Sequence, residues 1–350
     1  MGKAMIDGDA AIADELPRPY LLFLGDETRE PYAKTAFGLR DWARESCVGE
    51  YTLAGATVTT GLPKLTPHEA KLRGARSLVI GVANIGGQVN PVWIPALAAA
   101  LEAGLDLVSG MHGSLWEQPL LASEAKRLGC RLYDVRTPPR GIPIATGRRR
   151  SGKRLLTVGT DCAVGKKYTA LGIARDLRNR GIAADFRATG QTGILIAGRG
   201  IPIDAVIADF VAGAAEMLSP AAAADHWDIV EGQGSIFHPA YAGVSLGLLH
   251  GTQPDLFIAC HDLTRSCVGG LEEFELPYLA DLIAQNTIFG RRTNPAIRCA
   301  GISLNTSRLS EHEARACLAD HKARMGLPCA DPVRGGEEWA ELIDAVANSA

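Results

Sequence analysis

The apolar positions of this chain fall into short, nearly continuous runs, and each run is followed by a stretch whose apolar residues recur at helical spacing. Tyr20 to Gly25 reads as a strand and Tyr32 to Arg44 as a helix. Thr66-Pro67-His68-Glu69 is a capping box with proline at the first helical position, so a short helix opens there and ends at Gly74. Ser77 to Ala83 reads as a buried strand, followed by a helix from about Pro91 to Gly104. A strand over Leu105 to Ser109, a helix from about Gln118 to Gly129 and a strand over Cys130 to Val135 complete this half. Strands that alternate with helices in this way predict a parallel sheet covered on both faces.

Residues Arg136 to Lys153 break the alternation with Pro138, Pro139, Pro143 and a basic run, and read as a loop or linker. The pattern resumes with a strand over Arg154 to Val158, a glycine loop, and a helix from Lys166 to Arg180. Further strands are expected at Ala184 to Ala188, Asp228 to Glu231, Asp255 to Cys260 and Arg298 to Leu304. Helices are expected near Asp204 to Leu218, Phe274 to Ile288 and Ser310 to Met325. At roughly 150 residues per domain, the length suits two domains. The expected fold is therefore α/β, with an N-terminal parallel-sheet domain over residues 1–148 and a C-terminal α/β domain over 149–350 that carries the glycine loop.

Composition narrows the function classes. The chain is 47% hydrophobic and 21% charged with a net charge of −3, so it has the core of a globular protein and no global pull towards nucleic acid or an anionic membrane. No run of about 18 apolar residues would cross a bilayer. The leader carries Asp7, Asp9, Asp14 and Glu15 and no apolar segment, so no signal peptide is expected; Gly2 lacks the Ser or Thr at position 6 that myristoylation wants. The eight cysteines show no CxxC spacing and read as reduced thiols of a cytoplasmic protein.

The sharpest chemistry lies in Gly159-Thr160-Asp161-Cys162-Ala163-Val164-Gly165-Lys166-Lys167, between an apolar strand and a helix. Backbone N–H groups of such a loop, the helix N-terminus and the Lys166 ammonium together attract phosphate. Lys167 stands where a P-loop ATPase has the Ser or Thr that ligates Mg²⁺, so the loop suits gripping phosphates better than holding Mg-ATP for cleavage. A second marker, Asp228-Ile-Val-Glu231-Gly-Gln-Gly-Ser235, ends a strand on a carboxylate at the sheet edge where open α/β sheets bind ligands. Asp209 is a further acidic candidate, or a plain exposed helix residue.

Gly159-Thr-Asp-Cys-Ala-Val-Gly-Lys and Val230-Glu-Gly-Gln-Gly resemble the dethiobiotin synthetase branch of P-loop enzymes, whose base-reading asparagine Asn305 resembles. A broader resemblance runs through Gly25-Asp-Glu-Thr-Arg29 with Ala33-Lys-Thr35, Gly81-Val-Ala-Asn-Ile-Gly-Gly87, Gly110-Met-His-Gly113, the glycine loop, Thr189-Gly-Gln-Thr-Gly193 and Glu231-Gly-Gln-Gly-Ser-Ile-Phe-His-Pro239. On these segments the chain resembles the DgcN-like family, the D-glutamate N-acetyltransferases. The resemblance implies a Rossmann-like N-terminal domain, a P-loop NTPase-like C-terminal domain and acetyl-CoA as acyl donor. Gly159 to Lys167, Tyr168 and Asn305 are the residues expected to hold it, and with Lys167 in place of the Mg²⁺-ligating hydroxyl no metal is expected to be required. It further implies an acidic amino acid, D-glutamate, as acceptor in D-amino-acid catabolism, and a homo-oligomer. The alternative is an ATP- and Mg²⁺-dependent ligase or kinase like dethiobiotin synthetase.

Amine attack on a thioester needs a base to deprotonate the ammonium. Glu231 and His238 share one glycine-rich segment and are the first candidates, with His261 just behind them. Backbone N–H groups of the glycine segments are candidates for the oxyanion. Arg265, Arg29 and Lys34 are the candidate partners for the acceptor's carboxylates. The run Arg148 to Arg154 could meet the 3′-phosphate of CoA or form a solvated face. Cys162 could be a nucleophile, but reads better as a small packing residue of the loop.

Overall fold

The computed structural model describes residues 16–83 and 86–349. The acidic leader with Gly2, and Asn84-Ile85 of the Gly81 to Gly87 segment, lie outside the described residues. The chain divides into two compact units. One takes the described residues up to Pro138 together with Gln191–Pro202; the other takes Pro139–Gly190 and the chain from Ile203 onward.

The first unit alternates β1 (Tyr20–Gly25), α1 (Lys34–Trp42), β2 (Cys47–Thr52), α2 (Pro67–Leu72), β3 (Ser77–Ile80), α3 (Ile94–Glu102), β4 (Asp106–Ser109), α4 (Pro119–Leu128) and β5 (Leu132–Asp134). The strands pair in parallel in the order β2-β1-β3-β4-β5. Every residue of β1 and β3 is buried, as a parallel sheet covered on both faces requires, and this is why those strands read as unbroken apolar runs. Phe23, Leu78, Ile80, Leu97, Leu101 and Leu107 form the centre of the core, and the Trp93 ring meets Phe23 edge-on at 5.7 Å. The Thr66 capping box forms as expected, with both reciprocal bonds to Glu69.

The second unit contains β6 (Lys153–Gly159), α5 (Lys166–Asn179) and β7 (Ala184–Arg187). The chain then passes through α6 (Gln191–Ala197), which groups with the first unit, before returning. There follow α7 (Val211–Leu218), β8 (Trp227–Val230), α8 (Ala242–Thr252), β9 (Leu256–Asp262), β10 (Cys267–Val268), β11 (Leu271–Glu275), α9 (Leu279–Gly290), β12 (Arg298–Asn305), α10 (Glu311–Met325), β13 (Cys329–Ala330) and α11 (Gly336–Ala347). Six strands form a second parallel sheet in the order β13-β12-β9-β6-β8-β7. Its core gathers Leu155, Ile173, Ile229, Ile258, Trp339 and Leu342.

Several elements differ from the sequence expectation. The helix expected from Tyr32 begins at Lys34, because Glu30–Ala33 closes as a 3-10 turn behind Pro31. The helix expected over Asp204 to Leu218 is broken into two 3-10 turns, at Ile203–Ala205 and Ala208–Phe210, before α7; Asp209 is exposed on the second of them. Phe274 belongs to a strand, since Leu271–Glu275 pairs antiparallel with β10 and α9 starts only after Pro277. The elements β2, α6, α8, β13 and α11 have no counterpart in the sequence reading.

In the basic run, Arg148 and Arg149 are exposed as a solvated face would be, whereas two other members differ from both readings. Arg150 and Arg154 are inside the protein, where Arg154 is 1% exposed. Arg154 donates to the carbonyls of Arg150, Ser151, Gly152, Ser219 and Pro220, and Arg150 to those of Ser219, Gly251 and Thr252. They clamp the C-terminal ends of α7 and α8, where orphan carbonyls and the helix dipole favour a cation. Arg154 is the second residue of β6 and Gly159 its last, so roughly 16 Å of strand separates the two. Arg150 and Arg154 therefore cannot serve a phosphate on the glycine loop.

Candidate functional site

Strand order decides what the glycine loop can meet. β12, β9, β6 and β8 are consecutive and parallel, so their C-terminal ends line one edge of the second sheet. Those ends deliver Asn305, His261 with Asp262, the Gly159 loop, and Glu231. In register, Gly159 pairs with Cys260, Leu304 with His261, and Asn305 with Asp262. Four segments that are far apart in sequence thus converge on the ligand-binding edge expected of an open α/β sheet.

The loop itself has P-loop geometry. Ala163 and Gly165 adopt positive φ values of 58° and 105°, which turn successive N–H groups to one side. Lys166 opens α5 and is buried; its Nζ donates to the carbonyls of Asp161 (2.6 Å) and Gly234 (2.8 Å). Burial lowers its pKa, opposed by Cys162, Cys260, Asp161 and Glu231. Gly232 lies so close to β6 that a Cβ there would meet the Thr157 carbonyl oxygen at 1.6 Å, and its N–H donates to Thr157 Oγ1 at 3.0 Å. That N–H is therefore spent on structure and is removed from the oxyanion candidates.

Glu231 is 5% exposed. Its Oε2 accepts the N–H groups of Thr189 and Gly190, each at 3.0 Å, while its own carbonyl accepts the Thr189 hydroxyl at 2.7 Å. Burial raises its pKa; Lys167, the two N–H groups and Lys166 pull it back. Sequence reasoning assigned Glu231 to the edge but not its grip on Thr189-Gly190, the two residues that lead directly into α6.

The two histidines differ in what they can do. His238 is 4% exposed, and its Nδ1 accepts the Ala240 N–H at 3.0 Å. In the neutral ring the proton then sits on Nε2, which faces Asp161 Oδ1 at 3.6 Å, while the ring packs on Tyr241 at 4.3 Å. So held, His238 is a proton donor and orienting group and offers no lone pair to an ammonium. His261 is half-buried, with Nδ1 2.9 Å from Thr160 Oγ1. Burial lowers its pKa, opposed by Asp262 and assisted by His321 and Arg265, so the neutral ring is favoured.

Arg265 finds a partner other than a substrate carboxylate. Its Nη2 pairs with the Asp161 carboxylate, which is 1% exposed, and its Nη1 donates to the Cys162 carbonyl at 2.8 Å. Gly269 N–H adds a bond to the same carboxylate at 2.8 Å. The segment around β10 is thereby tied to the glycine loop. Asn305 donates to Asp262 Oδ2 at 3.1 Å and accepts the Ser307 N–H at 3.1 Å, so its amide is engaged within the edge. Tyr168 is half-buried with Lys167 Nζ 5.3 Å from its ring centre. Cys162 and Lys167 are also half-buried. Arg29 and Lys34 are exposed and belong to the first unit, where they follow β1; Arg29 lies over the Tyr32 ring at 4.0 Å and 3.6 Å from Glu27.

Comparison with known proteins places this geometry. Residues 143–341 match the family model described as a domain of unknown function, DUF1611_C, P-loop domain, and residues 46–138 match the DUF1611_N Rossmann-like domain. The chain belongs to the DUF1611 family. It is 50% identical over 329 residues to the D-glutamate N-acetyltransferase of Tritonibacter scottomollicae, covering 94% of this chain and 98% of the relative. It is 46% identical over 322 residues to the D-glutamate N-acetyltransferase of a Pseudoalteromonas species, covering 92% and 97%. A DUF1611 protein from Anabaena variabilis, known from a crystal structure at 2.30 Å resolution, superposes with a TM-score of 0.84 at 31% identity, covering 95% of this chain and 99% of that one. The Rossmann-like and P-loop architecture expected from the sequence is thus the family's own, and no helix among the described residues is long and apolar enough to cross a membrane.

Proposed function

We propose that this DUF1611 chain is an N-acetyltransferase that moves the acetyl group of acetyl-CoA to the amine of D-glutamate, giving the N-acetyl amino acid and free CoA. The observation that carries the reading is its identity, over nearly the whole chain, with two D-glutamate N-acetyltransferases. The loop chemistry agrees: a phosphate cradle with lysine at the position of the metal-ligating hydroxyl suits a cosubstrate whose phosphates are held and never cleaved.

In this reading the glycine loop and Lys166 hold CoA phosphates at the edge of the sheet. The acceptor nitrogen attacks the thioester carbonyl carbon, the C–S bond breaks, and the thiolate leaves with a proton. His261, in the tautomer that donates Nδ1–H to Thr160, takes the proton from the acceptor ammonium on Nε2, because burial favours its neutral form and its Nε2 makes no hydrogen bond among the described residues. Glu231 holds Thr189-Gly190, and His238 with Arg265 holds Asp161 and so the shape of the loop. Eight free thiols suit a reducing, cytoplasmic setting, and we read the working form as a homo-oligomer.

The test is a thiol-release assay with acetyl-CoA and a panel of D- and L-amino acids, with product mass measured in parallel. Release of CoA with D-glutamate, and an acetylated product, is expected. No release with any acidic amino acid would overturn the reading.

A further inference from the structure

P-loop proteins that cleave nucleotides hold a divalent metal between the hydroxyl that follows the loop lysine and a carboxylate at the end of a neighbouring strand. Both positions can be located here. The residue after Lys166 is Lys167, on the first turn of α5, and the carboxylate is Glu231, at the end of β8 beside β6. Neither fits a metal. Lys167 brings an ammonium group in place of an oxygen ligand. Glu231 has one carboxylate oxygen committed to the Thr189 and Gly190 N–H groups and stands in the field of Lys167 and Lys166.

The other places where donors gather already contain a protein cation. Among the described residues, Asp161, Cys162 and His238 bring their ligand atoms within 4.8 Å of one another, as do Asp185, His226 and Asp228. Arg265 pairs with Asp161 in the first group. In the second, Arg187 lies 2.7 Å from Asp228 and 3.2 Å from Asp185. A metal entering either group would sit against a guanidinium.

We propose that Lys167 is a built-in cation in the place of the P-loop metal, so that the glycine loop binds the pyrophosphate or 3′-phosphate of its cosubstrate without a divalent ion. The Lys167 charge favours the ionised form of the buried Glu231 carboxylate and, from the first turn of α5, supplies the cation at the chain position that follows the loop lysine. It also sets specificity: a carrier that arrives with its own Mg²⁺, such as ATP, meets repulsion, whereas a metal-free diphosphate meets an extra ammonium. The inference rests on the acetyl-transfer reading only for the identity of the phosphate carrier.

The experiment is calorimetric titration of the full chain with CoA, inorganic pyrophosphate and ATP, each in EDTA and in excess Mg²⁺, for the wild type, Lys167→Thr and Lys167→Arg. Wild-type affinity for CoA, whose doubly esterified diphosphate chelates Mg²⁺ weakly, is expected to be the same in both buffers, while inorganic pyrophosphate, which chelates Mg²⁺ as ATP does, should bind in EDTA and more weakly in excess Mg²⁺. Lys167→Thr should bind CoA about tenfold more weakly in EDTA, the scale of one charge-assisted hydrogen bond, and recover nucleotide binding when Mg²⁺ is added. Lys167→Arg should keep metal-independent binding. An increase in wild-type affinity of about tenfold or more on adding Mg²⁺ would overturn the proposal, and so would a folded Lys167→Thr variant that binds CoA like the wild type in EDTA. If Lys167→Thr fails to fold, the wild-type comparison and Lys167→Arg still decide. Metal-independent pyrophosphate binding without CoA release from acetyl-CoA and D-glutamate would sink the acetyl-transfer reading and leave this inference standing. Turnover that requires Mg²⁺ for CoA binding would do the reverse.

Discussion

The hydroxyl oxygen of Thr160 lies 2.9 Å from Nδ1 of His261, so the residue after the first loop glycine and the end of β9 hold one another. This contact holds the imidazole beside the phosphate cradle; in the tautomer whose Nδ1–H donates to the Thr160 oxygen, Nε2 is the atom that can take a proton.

His261→Ala should lower kcat/KM by roughly a hundredfold or more while acetyl-CoA binding is retained. Burial holds the His261 pKa below the ordinary histidine value of 6.5, so the base stays unprotonated to more acid pH than a free imidazole would. The acid limb of kcat/KM is therefore expected to have its midpoint below 6.5, with activity lost as pH falls through it. A limb at or above that value would assign the base to another group.

Arg265→Leu should act on the loop and not on acceptor affinity. Asp161 would be left buried with a charge and no guanidinium, a loss of about 3 kcal/mol in stability. Thermal unfolding should show the drop, and KM for acetyl-CoA should rise. A variant with unchanged Tm and a raised KM for D-glutamate alone would return Arg265 to the substrate.

Arg154→Met tests the corrected place of the basic run. Removing the guanidinium takes a donor from the carbonyls of Ser219 and Pro220 after α7 and of Ser151 in the linker, so Tm should fall by an amount corresponding to about 2 kcal/mol or more. Both Michaelis constants should stay at wild-type values in the folded fraction, because the residue lies at the opposite end of β6 from the loop.

The thiols are expected to be bystanders. Cys260 is fully buried with its pKa pushed up to about 11, so it should resist alkylation at neutral pH in the native protein. Cys162→Ala should keep kcat within about tenfold, and intact-protein mass spectrometry should find no acetylated enzyme. Loss of turnover in that variant, with an acetyl adduct on the wild type, would put a covalent step in the mechanism.

The sequence by itself determined the elements whose signals are local. Buried parallel strands read as apolar runs because both faces are covered, the Thr66 box announced α2, and a glycine loop between strand and helix announced the phosphate cradle with its second lysine. Glu231 and His261 were legible as strand-end residues for the same reason. Elements such as α8 and β2 were missed because their apolar residues lie in no clear period.

Only the tertiary structure decided partners, since these depend on strand order and not on neighbours in sequence. β6 lies between β8 and β9, and this brings Thr160 to His261 and Asp161 to Arg265, which are separated by about a hundred residues of chain. The same folding spends the His238 lone pair on Ala240, buries Arg150 and Arg154 at helix ends, and passes α6 from the P-loop half to the first unit. A side chain's charge is written in the sequence; whether it meets ligand, solvent or a buried carbonyl is settled by which groups the fold leaves needing a partner.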